Sequence, residues 1–340
     1  MSAFLYVNSK TMNVFPVSNS TLHPFHIAGF VKRNYQLEGD TVARILKTGI
    51  SDTYLVTAGS GRYIFRVYSL NWRTEKEIAA EIELVSRLKE NDLPVSYALP
   101  DKASNYIQHL QAPEGLRFGV LFSFAKGGKM LNIPVDLHWK LGTIMGRMHK
   151  LTHELQLERT RYTPQVLLED PFERLLEFLP AGTEEMIYMA SLKKYLLAVL
   201  NKSDKDQLRK GIVHLDIWFD NISIDDDDIT VFDFDFCGNG WLVLDIAYYI
   251  LQLYSTEKDE QEFNLKKESF LAGYASVNAI TKEEQELVPA AAVCLYFFYL
   301  GVQCRRFDNW SNTFLNEIYL KRFINLLIKK WVNFHELRVA

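Results

Sequence analysis

Residues 211–245 constrain this chain more than any other stretch: GIVHLDIWFDNISIDDDDITVFDFDFCGNGWLVLD. An apolar pair, Ile212 and Val213, leads into a polar loop that holds His214, Asp216 and Asn221. Two short β-rich runs follow, split by an acidic turn, and the second ends in Asp233-Phe234-Asp235. The pattern predicts a strand, a loop and a hairpin, with carboxylates and an amide emerging close together from apolar surroundings. Asp225 to Asp228 have a different reading. Burying four consecutive acids would be prohibitively repulsive, so they predict a solvated hairpin tip.

The spacing from His214 through Asp216 to Asn221 fits the kinase catalytic loop without a gap, in which His, any residue and Asp are followed by four residues and Asn. Asp233 then stands where kinases carry a magnesium-binding Asp. Leu215 takes the place of the protein-kinase Arg, and no Ala-Pro-Glu segment follows. At these residues the chain resembles the aminoglycoside phosphotransferase and choline kinase family, whose loop usually runs His-Gly-Asp. Here Leu215 replaces that Gly. In this chemistry a carboxylate orients the acceptor hydroxyl and receives its proton, while an amide oxygen and a second carboxylate hold the metal. The candidates are Asp216 as base, and Asn221 and Asp233 as metal ligands.

Upstream, three β-rich runs are predicted at 41–47, 53–57 and 62–68, the last two joined by a Gly-Ser-Gly hairpin signal. The connection 49–52 has one glycine and no GxGxxG, so its expected contribution to phosphate binding is backbone N–H groups and the Ser51 hydroxyl. Strand alternation sets Arg66 on the face of Ile64 and Tyr68. The family resemblance implies a nucleotide-binding Lys at this position, a role open to an Arg fork of donors. Thr74 and Glu77 form a capping box, and the helix it opens carries a stripe of Ile78, Ile82, Val85 and Leu88. Glu81 falls inside that stripe. Arg66 is its expected partner. The apolar run 118–125 breaks at Lys126-Gly127-Gly128-Lys129 and is read as an interlobe hinge, which places Phe122 and Phe124 at the nucleotide base.

Beyond residue 136 the pattern is helical outside the central stretch, with helices expected at about 171–179, 184–200, 244–253, 259–274, 282–303 and 313–334. Gly142 and Gly146 are expected to allow close helix packing. His149 and His153 are four apart, but the residues between them lack the Glu of a zinc protease, so core or capping roles are expected. Asp245 is read as a helix cap. The run 287–304 is apolar enough to raise a membrane span, yet Pro289, Gln303 and its scattered aromatics favour a buried core helix. A net charge of −4 gives no electrostatic reason to bind nucleic acid or acidic membrane. Three cysteines without CxxC spacing favour reduced thiols and a cytoplasmic location.

The resemblance implies an α+β, two-lobed protein-kinase-like fold. A nucleotide-binding lobe is expected over 1–124, with an N-terminal extension at 1–36, and a helical catalytic and acceptor-binding lobe over 125–340. It implies transfer of the γ-phosphoryl group of ATP, with Mg2+, to a hydroxyl acceptor. Within the family, the pattern around 146–149, the central stretch and the late helix look most like bacterial homoserine-kinase-type and stress-response-kinase-type members. A small molecule is the favoured acceptor, in a pocket that includes Arg305, Asp308 and Trp310. The alternatives are a serine/threonine protein kinase, with protein as substrate, and a nucleotide-binding pseudokinase acting as an interaction module.

Overall fold

The structure, a computed structural model, describes residues 15–306 and 314–339. A sheet-rich N-terminal part stands against a larger helical part. The first helix, α1 (Pro24–Asn34), starts on a proline, whose missing N–H belongs to the unpaired first turn, and on the side chain of His23, which accepts from the Phe25 N–H. Three antiparallel strands follow, β1 (Thr41–Lys47), β2 (Ser51–Ala58) and β3 (Gly61–Tyr68). After α2 (Glu75–Glu90) come β4 (Ala98–Leu99), β5 (Ile107–Ala112) and β6 (Gly115–Ser123). The sheet runs in the order β1-β2-β3-β6-β4, with β5 also paired to β6.

Alternation decides which face each strand buries. Along β2, Asp52, Tyr54, Val56 and Ala58 are buried and the residues between them are not. Tyr54 and Val56 join Ile27, Val31, Phe65 and Leu121 in a core between α1 and the sheet. The opposite face takes α2, whose Ile78 and Ile82 pack with Tyr68, Val120 and Phe122. Both halves of the predicted capping box at Thr74 and Glu77 form.

β6 ends at Ser123 and the chain crosses to the helical part. Gly127 adopts φ +87, and a Cβ there would lie 2.0 Å from the carbonyl oxygen of Ile224. Glycine is required twice over at this position. Gly128 then exchanges two backbone hydrogen bonds with Ile224, at 3.0 and 2.9 Å, which pins the crossing to the hairpin of β8 (Ile222–Asp225) and β9 (Asp228–Val231). The tip of that hairpin, Asp225 to Asp228, is exposed throughout.

The helical part comprises α3 (Val135–Thr152), α4 (Asp170–Leu176), α5 (Glu184–Lys202), α6 (Val243–Thr256), α7 (Glu260–Ala275), α8 (Lys282–Arg305), α9 (Glu317–Phe323) and α10 (Lys329–Phe334). α3 and α7 meet backbone to backbone, and a Cβ on Gly142 would reach 2.0 Å from the Phe270 carbonyl oxygen. α8 is long and apolar enough to cross a membrane, with mean hydropathy 1.8, but 72% of that window is buried inside the protein. The helix expected at 313–334 is divided by a π-helical turn at Ile324–Ile328, which separates α9 from α10; a second such turn, Gln165–Glu169, precedes α4. Ile324, Ile328, Leu167 and Leu168 are the buried residues of these turns.

Candidate active site

The central stretch begins with β7 (Lys210–Val213), which pairs with β10 (Gly238–Trp241). The loop after β7 is held from α6. Asp245 is the third residue of that helix, and its carboxylate accepts from the backbone N–H of His214 at 2.8 Å and of Leu215 at 2.6 Å. The reading of Asp245 as a helix cap is therefore corrected: its oxygens point back to the loop, where two buried N–H groups have no strand partner. His149 from α3 sits 2.9 Å from the same carboxylate and 2.8 Å from the Tyr274 hydroxyl, which accounts for it as a core histidine. His153 lies apart, exposed beside Glu154.

Leu215 occupies the left-handed region at φ 63, a conformation that costs a non-glycine residue about 1–2 kcal/mol. Several contacts offset that strain. Its N–H meets Asp245, its carbonyl accepts from the Tyr299 hydroxyl at 2.5 Å, and its side chain is fully buried. His214 Nδ1 accepts from the Asp216 N–H at 3.1 Å, so the proton sits on Nε2, which donates to the Phe232 carbonyl at 3.3 Å. Burial lowers the His214 pKa and keeps this neutral tautomer.

Asp216, the residue expected as base, is held at both carboxylate oxygens. The Tyr248 hydroxyl donates to its Oδ1 at 2.5 Å and Asn221 Nδ2 to its Oδ2 at 2.6 Å. Burial pushes its pKa up to about 8 against the Tyr248 hydrogen bond, and the negative charge of Asp233 adds to the rise. Asp233 adopts φ 65 and ψ 66, and Arg66 Nη2 meets its Oδ1 at 2.5 Å. Arg66 Nη1 lies 3.3 Å from Glu81, which also accepts from the Tyr68 hydroxyl at 3.1 Å.

Arg66, Glu81, Asn221 and Asp233 line a cleft of about 470 Å³ between the sheet and the helical part, and Asp216 adjoins it through Asn221. Leu46, Ile64, Phe122 and Phe124 form its apolar walls, and Asn221 and Asp233 lie at its polar end with Arg66. Among the described residues no three His, Cys, Asp or Glu gather in a metal-binding set. Asn221 and Asp233 nonetheless fit a hard cation whose remaining ligands are water and phosphate. The Asn221 amide nitrogen is committed to Asp216, which turns its oxygen away, and the Asp233 side chain is 34% exposed, its Oδ1 paired with Arg66.

Two of the expected site residues lie elsewhere. Ser51 is not in the turn: it opens β2 opposite Tyr68, its Oγ is buried without a hydrogen-bond partner, and it does not line the cleft. The strand extends this far because the end of β3 is anchored by Arg117, which reaches the carbonyls of Val67 and Tyr68 and the carboxylate of Asp52. Arg305 stacks over Trp72 at 5.6 Å and lines a separate cavity of about 140 Å³ with Tyr162 and Phe298, away from Asp216. The end of α8 runs past the far side of Phe236, so its register aims Arg305 there. Asp308 and Trp310 lie outside the described residues.

Sequence reasoning missed Tyr248, although it follows Asp245 by three residues and so shares its helix face. It also missed Lys47, Lys129 and Asp220, a charged group on the cleft wall. The role of Asp235 was unassigned. Its carboxylate accepts from Trp72 Nε1 at 2.8 Å and Arg73 Nε at 3.2 Å, while Arg159 binds the carbonyls of Asp235, Phe234 and Cys237.

Comparison with known proteins agrees with this geometry. The model of the family described as "Phosphotransferase enzyme family" matches residues 41–280. An uncharacterized protein of Synechocystis sp. is 28% identical over 324 residues, 91% of this chain and 86% of that protein. The homoserine kinase of Methylobacillus glycogenes is 24% identical over 273 residues, 78% of this chain and 81% of the kinase. Among solved structures, a microcompartment-associated aminopropanol kinase superposes with a TM-score of 0.74 at 20% identity, covering 93% of this chain and 100% of that one. An amicoumacin kinase in complex with AMP-PNP, Ca2+ and Ami superposes with a TM-score of 0.73 at 18% identity, covering 90% of this chain and 93% of that one. These likenesses show a protein-kinase-like fold, and with the family match over most of its length the chain belongs to the phosphotransferase enzyme family, whose members are enzymes acting on hydroxyl acceptors.

Proposed function

We propose that the protein transfers the γ-phosphoryl group of ATP, with Mg2+, to the hydroxyl of a small polar molecule. The observation that carries this reading is that Asn221 and Asp233 line one largely apolar cleft while Asn221 also donates to the carboxylate of Asp216. The apolar walls, Phe122 and Phe124 among them, suit a purine, and Arg66 suits its phosphates. Asn221 and Asp233 would hold the metal, whose positive charge would offset the charge of the phosphates. Tyr248 and Asn221 fix both oxygens of Asp216, so the carboxylate meets the acceptor hydroxyl in one orientation and takes its proton late in the transfer. Leu215 and Asp245 keep the loop from relaxing.

For the acceptor, Trp218 and Phe219, two and three residues beyond Asp216 in the chain, line a second cavity of about 250 Å³ with Gln252, Glu257, Glu262 and Lys266. Its volume and mixed charge suit a small amino- or hydroxy-bearing compound better than a protein segment. The homoserine, aminopropanol and amicoumacin kinases among the similar proteins carry small-molecule names as well. Calorimetry with ATP in the presence and absence of Mg2+, on the natural protein and on Asp233→Ala, tests the metal assignment. Loss of the Mg2+-dependent part of ATP affinity in the variant is expected; an unchanged dependence removes Asp233 from the metal site.

A further inference from the structure

The cleft holds a cation that the family-level reading does not use. A nucleotide triphosphate brings several negative charges into a site with no glycine-rich loop, and Arg66 is already engaged by Glu81 and Asp233. Lys47, at the end of β1, lines the cleft, and its side chain is 65% exposed.

Its position follows from a break in strand register. Directly paired residues on adjacent strands share a face. Ala43 pairs with Val56 and Ile45 with Tyr54, and both β2 partners point into the core below α1. The register then shifts, so that Lys47 pairs with Thr53, a residue of the cleft face, and not with buried Asp52. One extra residue, Leu46, is accommodated in β1, and both Leu46 and Lys47 reach the cleft wall. A β-bulge of this kind re-aims a side chain. Without it, alternation would carry Lys47 to the core face.

The Lys47 ammonium lies 3.4 Å from Asp220, whose other oxygen is paired with Lys129. Lys129 follows the hinge and also lines the cleft. An ion pair this exposed is weak, on the order of 0–1 kcal/mol, and gives way readily to a polyphosphate.

We propose that Lys47 is a phosphate ligand of the bound nucleotide, delivered by the β1 bulge in place of a glycine-rich loop and resting on Asp220 while the cleft is empty. The proposal rests on the ATP reading of the cleft given above. Binding of ATP and of adenosine is measured for the natural protein, Lys47→Met, Lys47→Arg and Asp220→Asn, at low and moderate salt. Lys47→Met is expected to weaken ATP about tenfold, the worth of one charge-assisted hydrogen bond partly open to water, and to leave adenosine unaffected. The same variant should show a smaller salt dependence, and Lys47→Arg should retain most of the affinity. Asp220→Asn breaks the resting ion pair but keeps the ammonium, so ATP should bind at least as tightly as to the natural protein. Equal ATP affinity in the natural protein and Lys47→Met overturns the proposal. So does an equal loss in Asp220→Asn and Lys47→Met, since that would mean the Lys47–Asp220 bridge, not the phosphate contact, matters. A natural protein that binds neither ATP nor adenosine overturns the function reading itself, a result distinct from either.

Discussion

Asp233 and Asp235 are the same residue type, two apart in one short segment, yet they end in opposite environments. Asp233 faces the cleft with its side chain 34% exposed and one cationic partner, Arg66. Asp235 is 4% exposed and is enclosed by Trp72, Arg73 and the backbone contacts of Arg159. Burial pushes the Asp235 carboxyl up, but Arg73 and Arg159, then Arg66, outweigh it and hold it at about 2. The left-handed turn at Asp233 separates the two. The Asp233 carboxylate keeps one open side towards the cleft, while its neighbour, satisfied on every side, ties α2 and the end of β3 to the helical part.

Several substitutions sharpen or break this contrast. The largest effect is expected on the open side. Asp216→Asn keeps shape and hydrogen bonding but removes the charge, so turnover should fall by about two to four orders of magnitude with near-normal ATP binding. Slow Mg2+-dependent hydrolysis of ATP gives a readout before the acceptor is known, and an equal residual rate in both proteins would sink Asp216 as base. The same group sets a pH dependence. Because it acts as a carboxylate and its pKa is raised to about 8, hydrolysis by the natural protein should climb with pH and level off near that value. Stability carries the opposite sign: a pKa raised in the folded state stabilises below the ordinary carboxylate range and is lost as pH rises towards about 8. Melting temperatures of the natural protein should therefore decline across that window more than those of Asp216→Asn.

On the sealed side the expected loss is of stability. Asp235→Ala leaves Arg73 buried without its carboxylate and removes a negative charge from beside Arg159, and breaking such a network costs about 3–5 kcal/mol. Denaturant unfolding of this variant beside Asp233→Ala tests the comparison, since the latter should lie within about 1 kcal/mol of the natural protein, the scale of a partly exposed pair. Similar losses in the two would dissolve the distinction. The smallest effect belongs to the contact that joins the two networks, Arg66 with Glu81, because Arg159 also approaches Glu81 at 4.0 Å. A double-mutant cycle on ATP affinity with Arg66→Met and Glu81→Gln should give a coupling of about 0.5–3 kcal/mol. Strict additivity would separate the pair in function.

Much of the site could be read before folding, for local reasons. Alternation in β3 put Arg66 on the cleft face, and helical spacing put Glu81 on the stripe below it. The structure sets them 3.3 Å apart. Ser51 misled because strand ends depend on partners distant in sequence, here Arg117 on β6. Arg305 misled because the direction of a side chain at a helix end depends on what the helix packs against.

The sequence by itself determined the kind of loop, the identity and spacing of Asp216, Asn221 and Asp233, and the amphipathic order of strands and helices, because these follow from residue chemistry and short periodicities. Only the tertiary structure decided that Asp245 would grip the loop, that Tyr248 would hold Asp216, that Asp233 and Asp235 would part company, and that a register shift would turn Lys47 into the cleft. Each of those outcomes depends on contacts between segments far apart in the chain, where burial and unmet hydrogen bonds, not local preference, select the conformation.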